Sequence, residues 1–494
     1  MWYHSGSVEL SSLGGPADLS EFPGLSSPGG PVDPGATGGV VPGARRAGPG
    51  GRIVIISASV GAGHDGAAAE LADRLCASGY AVDRLDFLDL LPARLGRAIS
   101  AGYHRILTHA PGAYQRIYAA TERAGGSGPG ARALLRSAER RTLQALRADT
   151  RAVVSTYFGA SQVLGALRLR GRLAVPAITY LTDFSVHPLW VAAGVDFHLA
   201  AHDIPAAQAR ARGAARVLAT GPVVAPRFKP ATDRERQQAR ARFGLPPTAP
   251  LALLVAGSWG VGPIQQVACE IRATGAAVPV VVCGRNETLA GRLRAAGIEH
   301  AYGWVKDMPG LMHAADVLVQ NAGGLTSLEA FAAGLPVASY GCIPGHGHTN
   351  AAALHDAGLA TWVREPADLK PVLTELLDGP LGESRRAAGL ALFATAPDSG
   401  PVAAILRACG AAAPDAGDTP PPSRRLSVRR SRRAARRLVV TGALATALWG
   451  TAVGTGIAAT HSGGSVRQVI GHSLDHGGHR PDLAALASSV EDLF

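Results

Sequence analysis

Residues 52–66 read RIVIISASVGAGHDG, and this stretch decides the fold that we expect. A continuous apolar run at residues 53–56 is typical of a strand buried on both faces of a parallel sheet. Glycines follow at once, and the segment at residues 67–76 predicts a helix. Strand, glycine turn and helix in this order form the opening unit of a doubly wound α/β domain.

The same alternation repeats along the chain in two cycles. Apolar runs of the first cycle predict strands at residues 53–56, 81–87, 152–156, 177–181 and 197–200. A passage rich in Pro and Arg follows, and a second cycle predicts strands at residues 251–256, 278–282, 300–302, 317–320 and 337–339. We therefore expect two Rossmann-like α/β domains, 51–228 and 251–385, joined by a linker at 229–250. Ligands of such domains bind in a cleft at the carboxyl ends of the strands.

The two ends of the chain differ in composition from this body. The chain has 494 residues, of which 47% are hydrophobic, enough for two or three domains with their own cores. Residues 1–50 are dominated by Gly, Pro and Ser and are predicted to be disordered. Residues 386–437 predict a helix, a Pro-rich linker and a basic cluster, and no function is assigned to the tail at 461–494. The five cysteines lack C-x-x-C spacing, which supports neither a zinc site nor a disulfide framework.

Much of the formal net charge of +11 lies in an arginine run at residues 424–437. The uncharged stretch at 438–460 follows, and at about 1.5 Å per residue it can cross a hydrocarbon core of roughly 30 Å. Basic residues beside a spanning segment favour the cytoplasmic side, where anionic lipids attract them. We expect a single-pass C-terminal transmembrane helix, an anionic membrane surface as partner and no nucleic acid. The alternative is a buried or interfacial helix beside a nucleic-acid-binding arm.

The first group of candidate residues lies in the opening glycine loop. Gly61, Gly63 and Gly66 match the G-x-G-x-x-G spacing, and Asp83 lies about twenty residues on, as in dinucleotide-binding proteins. A dinucleotide-dependent oxidoreductase is therefore one hypothesis. The other is that His64 acts as a general base on a sugar acceptor, because a neutral imidazole can take a proton near neutral pH. His64 could also be no more than a residue of the helix N-terminus.

A second segment of the first domain, LTDFSVHPLW at residues 181–190, follows a predicted strand. Asp183 should therefore lie near the same sheet edge as His64 and could orient its ring. We expect His187 and Trp190 to shape an acceptor site, with Trp190 stacking on an apolar or sugar surface. A turn aspartate and a core tryptophan are the alternatives.

The second domain carries its own glycine loops. Gly257, Ser258 and Trp259 follow its first strand and could present N–H groups to a pyrophosphate. Gly323, Gly324 and Thr326 open a later helix, where they suit phosphate, and Glu329 could accept hydrogen bonds from two ribose hydroxyls. The loop at 341–350 contributes His346 and Asn350. His346 and His348 lack a third metal ligand at suitable spacing, so no metal site is expected.

Four segments, taken in order, resemble the monogalactosyldiacylglycerol synthase and processive diacylglycerol glucosyltransferase group. These are residues 59–64, 182–190, 303–308 and 323–336, and the resemblance covers residues 52 to about 375. That group is related to the N-acetylglucosaminyltransferase that makes lipid II. The resemblance implies the GT-B fold, with an acceptor-binding N-terminal domain and a UDP-sugar-binding C-terminal domain.

The resemblance also implies an inverting transfer of a hexose from a UDP-sugar to a lipid, with diacylglycerol as the expected acceptor and no cofactor or metal. His64 matches the base, Gly61 and Gly63 its acceptor-side loop, Val305 the backbone contact to uracil and Glu329 the ribose ligand. The family usually has Gln followed by Glu or Gln where His346 and Gly347 stand here, which leaves the donor sugar open. A non-catalytic nucleotide-sugar sensor is the third hypothesis. The expected location is the cytoplasmic face of the plasma membrane.

An amphipathic pattern at residues 91–107 concerns the same membrane surface. At helical spacing, one face carries the apolar side chains Leu91, Leu95, Ile99, Tyr103, Ile106 and Leu107. The other face carries Arg94, Arg97, His104 and Arg105. The stripe could lie on an anionic membrane. Ordinary packing inside the protein explains it equally well.

Overall fold

Two parallel six-stranded sheets organise the protein, whose computed structural model describes residues 50–92, 95–123, 129–394 and 400–411. The strands of the first sheet are β1 (Arg52–Ser57), β2 (Ala81–Asp86), β3 (Thr150–Ser155), β4 (Ala177–Tyr180), β5 (Phe197–Ala200) and β6 (Val217–Ala219). Those of the second are β7 (Leu251–Val255), β8 (Val278–Val282), β9 (Ala301–Tyr302), β10 (Val317–Gln320), β11 (Val337–Ser339) and β12 (Ala360–Trp362). The two parallel sheets of the GT-B arrangement are confirmed.

Helices cover both sheets, and two short 3₁₀ turns occur at Pro188–Trp190 and Pro366–Asp368. The helices of the first half are α1 (Ala62–Ala77), α2 (Phe87–Leu90), α3 (Leu95–His109), α4 (Pro111–Arg123), α5 (Pro129–Arg136), α6 (Glu139–Ala145), α7 (Phe158–Leu169) and α8 (Asp203–Ala211). Those of the second are α9 (Asp233–Phe243), α10 (Ile264–Thr274), α11 (Glu287–Ala295), α12 (Met308–Ala314), α13 (Leu325–Ala332), α14 (His346–Asp356), α15 (Leu369–Asp378), α16 (Pro380–Ala391) and α17 (Pro401–Ala411).

The apolar run of β1 is continuous because both faces of the strand are covered. Ile53 and Ile55 pack in one core cluster with α1 and α17. Val54 and Ile56 pack in another on the opposite face, with α7. Side chains alternate from face to face along a strand, so residues 53–56, which are covered on both faces, are all apolar. This is the pattern from which the fold was predicted.

The strand orders fix where ligands can bind. The first sheet has the order β2-β1-β3-β4-β5-β6, so the chain changes direction between β1 and β3. The second has the order β12-β11-β10-β7-β8-β9, with the change between β7 and β10. Crevices open at the carboxyl ends of the strands at such points. The loops after β1, β3, β7 and β10 are therefore the expected site loops.

The sequence predicted ten of the twelve strands, and it missed the short strands β6 and β12. It also treated residues 229–250 as a linker, whereas α9 forms there and packs on α12 of the second domain. A capping box of Thr232 and Glu235 starts α9, and Arg240 pairs with Asp316 at 2.6 Å. Helix α17 then returns to the first sheet, where Ile405 is fully buried.

The apolar stripe at residues 91–107 is buried in protein. Leu91, Leu95 and Ile99 pack in the core of the first domain. Ile106 and Leu107 pack against Val261 and Ile343 of the second domain. Ordinary protein packing therefore accounts for this stripe, and its contact with an anionic membrane stays a prediction.

The predicted disordered segment up to residue 49 and the predicted features from residue 412 onward lie outside the described residues. These features are the basic cluster, the transmembrane helix at 438–460 and the tail. Among the helices that the structure describes, none has both the length and the apolar character needed to span a bilayer.

Candidate active site

His64 lies at the switch point of the first sheet. It is the third residue of α1, which begins directly after β1. Its Nδ1 lies 2.8 Å from the backbone oxygen of Thr156, just after β3, and 2.9 Å from Oγ1 of Thr182, just after β4. Thr156 Oγ1 in turn donates to the His64 backbone oxygen. Three strands thus fix one imidazole at the carboxyl edge of the sheet.

Burial lowers the pKa of His64 below its ordinary value of 6.5. The carboxylates of Asp183 and Asp65 and the Thr156 carbonyl act in the opposite direction but do not outweigh burial. The Tyr157 ring packs edge-on against the imidazole at 5.4 Å. His64 is therefore neutral near pH 7 and able to accept a proton.

Asp183 does not hydrogen-bond to His64, contrary to the predicted orienting contact. Its Oδ2 accepts from Trp190 Nε1 at 3.0 Å, and its Oδ1 accepts from Asn350 Nδ2 at 3.4 Å. Asp183 acts on His64 only through its charge. The neighbouring residues Thr182 and Asp183 thus have different partners, since Thr182 contacts His64 and Asp183 contacts Trp190 and Asn350.

The two predicted acceptor side chains of this segment are both buried. Trp190 is 1% exposed and packs among Leu181, Val186 and other apolar side chains, so it offers no face for stacking. His187 accepts from Leu189 N–H, and its Nε2 lies 3.3 Å from Thr121 Oγ1 of α4. For Trp190 the core alternative is correct, and His187 joins α4 to the 3₁₀ turn.

The glycines of the opening loop face the second domain. A side chain at Gly66 would collide with Leu325 Cδ2, and a Cβ at Gly63 would lie 3.7 Å from Leu325 Cβ. Gly61 borders open space. The N-termini of α1 and α13 thus come together, and a larger residue at Gly66 would require the Leu325 side chain to move.

Asp83 does not suit a ribose site. It lies in the middle of β2, paired in register with Val54. Its carboxylate pairs with Arg52 at 2.7 Å and with Arg147 at 3.5 Å. The acid of a dinucleotide site must reach a ribose beyond the strand end. This geometry disfavours the oxidoreductase hypothesis.

Glu329 is a half-buried carboxylate on α13. Burial raises its pKa to about 8, an effect that the charge of Arg227 only partly offsets. Within the described part of the chain its carboxylate has no hydrogen-bond partner. Thr326 and Gly324 lie at the start of the same helix. The N–H of Gly323 is already used, since it donates to Gln320 Oε1.

The loop after β7 is covered by α3 of the first domain. Trp259 packs edge-on against Tyr103 at 5.9 Å and His104 at 5.0 Å. Gly257 is exposed, while Ser258 accepts from Arg285 N–H through its backbone oxygen. Trp259 therefore contacts the other domain, a role that the sequence did not predict.

Asn350 joins the two domains. It is 0% exposed. Its Oδ1 accepts from the N–H of Ser185 at 2.7 Å, and its Nδ2 donates to the backbone oxygen of Ala322 at 2.9 Å. Because protein groups occupy its amide, the predicted donor-binding role of Asn350 does not fit this arrangement.

His346 begins α14, and its Nδ1 lies 2.9 Å from Tyr114 Oη of α4. Burial lowers its pKa; the charge of Asp183 raises it, and that of His64 lowers it. The negative charge of Asp183 therefore acts on the imidazoles of both His64 and His346, which lie in opposite domains. His348 instead packs on Trp362 at 6.3 Å. No cluster of metal-binding side chains occurs among the described residues.

Val305 is half-buried against the core of the second domain. Its neighbour Trp304 is 50% exposed, with the Arg285 guanidinium 5.2 Å from its ring centroid. The predicted uracil contact therefore has an exposed aromatic side chain beside it.

Sequence reasoning missed the side chains that hold the two histidines. Thr182 directly precedes Asp183, the carboxylate that the sequence favours as the partner of His64. Tyr114 and Tyr118 follow the amphipathic segment, and their i, i+4 spacing on one helix face was an available signal. Both contact the first turn of α14, which contains His346 and Thr349.

Comparisons with known proteins confirm the resemblance. Residues 64–224 match the family model for monogalactosyldiacylglycerol (MGDG) synthase. A processive diacylglycerol beta-glucosyltransferase of Bacillus pumilus (strain SAFR-032) is 29% identical over 211 residues, covering 41% of this chain and 55% of that protein. A probable monogalactosyldiacylglycerol synthase 2, chloroplastic, of Oryza sativa subsp. indica is 28% identical over 208 residues, covering 39% and 44%.

The chain thus spans about half the length of the curated relatives that it matches. Among solved structures, that of Acinetobacter baumannii MurG is similar with a TM-score of 0.43 and 16% identity, covering 73% of this chain and 99% of that one.

Proposed function

We propose that the protein is an inverting glycosyltransferase that moves a hexose from a UDP-sugar onto diacylglycerol, forming a glycolipid. One observation carries the proposal. A neutral imidazole, His64, is fixed at the switch point of the first sheet, and the N-terminus of α13 in the second domain faces it. A base for the acceptor and an anion site for the donor thus meet at one cleft.

The acceptor step uses His64. Its Nδ1 is occupied by the Thr156 carbonyl and the Thr182 hydroxyl, which leaves Nε2 for the substrate. As the acceptor oxygen bonds to the anomeric carbon, its proton passes to Nε2 and the bond from that carbon to the UDP oxygen breaks. Attack from the side opposite UDP inverts the anomeric configuration. General base catalysis of this kind contributes about 10²- to 10⁴-fold.

The donor step uses the second domain. The departing diphosphate gains negative charge, and the N-terminus of α13 favours an anion beside it. Glu329 has no hydrogen-bond partner among the described residues, so ribose hydroxyls can supply the donors that it lacks. Gly324 and Thr326 would lie at the diphosphate, and Val305 would face the uracil. Gly257 and Ser258 would border the same site.

The acceptor assignment comes from the relatives, whose names specify diacylglycerol. A lipid acceptor places the enzyme at a membrane, and we propose the cytoplasmic face of the plasma membrane, with a C-terminal anchor at 438–460. Several UDP-sugars remain candidates, because His346 stands where a sugar-contacting Gln is usual in the group that the chain resembles.

The test is an assay of the full chain with vesicles containing diacylglycerol and a panel of UDP-sugars, with products identified by mass spectrometry. Nuclear magnetic resonance of the product gives the anomeric configuration. We expect a β-linked product from α-linked UDP-glucose or UDP-galactose. No transfer from any UDP-sugar, with a fluorescence change of NAD(P)H on binding, would favour the oxidoreductase. UDP binding with no turnover would favour the sensor.

The variant His64→Ala should lower transfer by about 10²- to 10⁴-fold while UDP affinity, measured by calorimetry, stays unchanged. Glu329→Gln should show the converse, weakening UDP binding about tenfold because an amide NH₂, which only donates, replaces one carboxyl oxygen. His300→Ala, outside both sites, is the matched control. Retained turnover in His64→Ala rules out the assignment of the base.

A further inference from the structure

The partners of His64 determine which of its nitrogens carries the proton. Nδ1 lies 2.8 Å from the Thr156 backbone oxygen, and a carbonyl oxygen can only accept a hydrogen bond. Nδ1 must therefore carry the hydrogen in the neutral ring. Nε2 is then the atom with the free lone pair, and it is the atom that can act as a base.

The Thr182 hydroxyl completes the arrangement. Its Oγ1 lies 2.9 Å from the same Nδ1, and since Nδ1 holds the hydrogen, Oγ1 must accept it. One N–H is thus shared between two oxygens on neighbouring strand ends. With the Thr156 carbonyl alone, the ring could turn about a single hydrogen bond. The second contact, to the Thr182 hydroxyl, fixes the plane of the ring.

We propose that Thr182 is the positioning residue for His64, doing for this imidazole what a carboxylate partner does in other histidine bases. This inference rests on the proposed role of His64. Asp183, the adjacent carboxylate, is bonded to Trp190 and Asn350 instead. A hydroxyl orients the ring without placing a full negative charge in contact with it, so the base stays unprotonated near neutral pH.

The charged and titratable groups around His64 come from four elements. Asp65 lies on its own helix, Asp183 follows β4, Tyr157 follows β3 and His346 begins α14. None of them changes when Thr182 is replaced. A change in the titration of His64 in such a variant therefore reports the lost hydroxyl contact.

The test compares Thr182→Val with Thr182→Ser. Valine has the shape of threonine but accepts no hydrogen bond, so the imidazolium that forms in the reaction loses one acceptor. We expect kcat to fall about tenfold with KM unchanged, and the acid limb of the pH–rate profile to move to lower pH. Serine should restore kcat to within about threefold. Full activity in Thr182→Val, or equal loss in valine and serine, overturns the proposal.

Thr179→Val is the matched control. Thr179 lies on β4, is fully buried and donates to Ser161 Oγ at 2.8 Å, with no contact to His64. It should lower the thermal midpoint and leave the acid limb unmoved. A shift as large as that of Thr182→Val would mean that any damage to β4 suffices.

Nitrogen-15 resonances of the His64 ring separate this inference from the proposed function. They should show the hydrogen on Nδ1, and the titration of His64 should move to lower pH in Thr182→Val, whether or not transfer is detected. A hydrogen on Nε2 overturns the inference even if the enzyme is active. Absent turnover with the expected resonances overturns only the function.

Discussion

His64 and His346 begin helices on opposite sides of the cleft, but they are held in different ways. Both have a pKa lowered mainly by burial. His64 is bonded to Thr156 and Thr182, which belong to its own domain. His346 is bonded to Tyr114, which belongs to the other domain. The position of His64 is therefore fixed within one domain, whereas that of His346 depends on contact between the two domains.

The dependence of His346 comes from the hairpin of α3 and α4. In chain order the hairpin follows β2 and precedes β3. Its side chains reach the loop before α14 of the second domain. Gln115 Oε1 accepts from Gly345 N–H at 2.5 Å. Gly345 has φ of +70°, and a Cβ there would lie 2.8 Å from Tyr114. Only glycine fits a turn that is both left-handed and pressed against the hairpin.

We expect the His64 side and the His346 side of the cleft to have separate tasks. A base that is ready before substrate arrives needs fixed geometry, which the strand ends of one domain supply. On the proposed function, the donor loop that carries His346 would open for UDP to leave, and its contacts with the other domain would break on opening. Tyr114, Ser185, His346 and Asn350 belong to the contact surface between the two domains, which we call the seam. Substitutions in the seam should therefore affect the donor side and leave His64 in place.

Among the variants that test this difference between the two histidines, Asn350→Ala should have the largest effect on stability and transfer. It leaves the Ser185 N–H and the Ala322 backbone oxygen without their partner, at about 1–3 kcal/mol for each buried group. We expect the free energy of unfolding to fall by about 2–4 kcal/mol, measured by urea denaturation. If domain closure loses the same amount, about 2–4 kcal/mol, transfer should fall about 30- to 900-fold.

Thr232→Ala is the control for Asn350→Ala, because it also removes a side-chain bond to a backbone N–H but within one domain. It should cost about 1 kcal/mol of stability with transfer unchanged. The nitrogen-15 resonances of His64 should be the same in both variants. Wild-type transfer in destabilised Asn350→Ala would mean that the seam is structural only.

The sequence predicted the surroundings of His64 better than those of His346, because His64 has its partners in its own domain and His346 has its partner in the other. The apolar run of β1 and the glycines after it are local signals, and they placed His64 at the sheet edge correctly. Tyr114, which bonds His346, and Ser185, which bonds Asn350, lie more than 160 residues away from them in the chain, and no local pattern specifies such a contact. Trp190 was misjudged because burial depends on what α7 and α8 cover, which the residues 181–190 alone do not reveal.

Tyr114→Phe should have a smaller effect, confined to the donor side. It removes the hydroxyl that bonds His346 Nδ1 and leaves that nitrogen without its partner. A net hydrogen bond contributes about 1 kcal/mol, so the KM for the UDP-sugar should rise about fivefold with kcat nearly unchanged. Steady-state kinetics at varied donor concentration measure both.

Tyr118→Phe is its matched control, since Tyr118 Oη contacts Thr349 Oγ1 at 3.2 Å on the same loop. Thr349 keeps Ser185 Oγ as a partner at 2.8 Å, so this variant should change donor KM less than about twofold. Equal effects of the two variants would show that the hairpin acts as a unit and that His346 has no special dependence on Tyr114.

The smallest expected effect is on the pH dependence of stability, and it bears on whether His346 is buried in solution. A buried imidazole with a lowered pKa takes up its proton at lower pH than in the unfolded chain, where the ordinary value is 6.5. Below about pH 6.5 the unfolded state therefore binds more protons, and stability falls as pH falls, by at most about 1.4 kcal/mol per pH unit for each group. His64→Gln and His346→Gln should each reduce this loss, measured by urea denaturation between pH 5 and pH 7. If the domains open readily in solution, His346 becomes hydrated and only His64→Gln will reduce it. Equal reductions would mean that the closed seam persists without substrate, so that both histidines are fixed before binding.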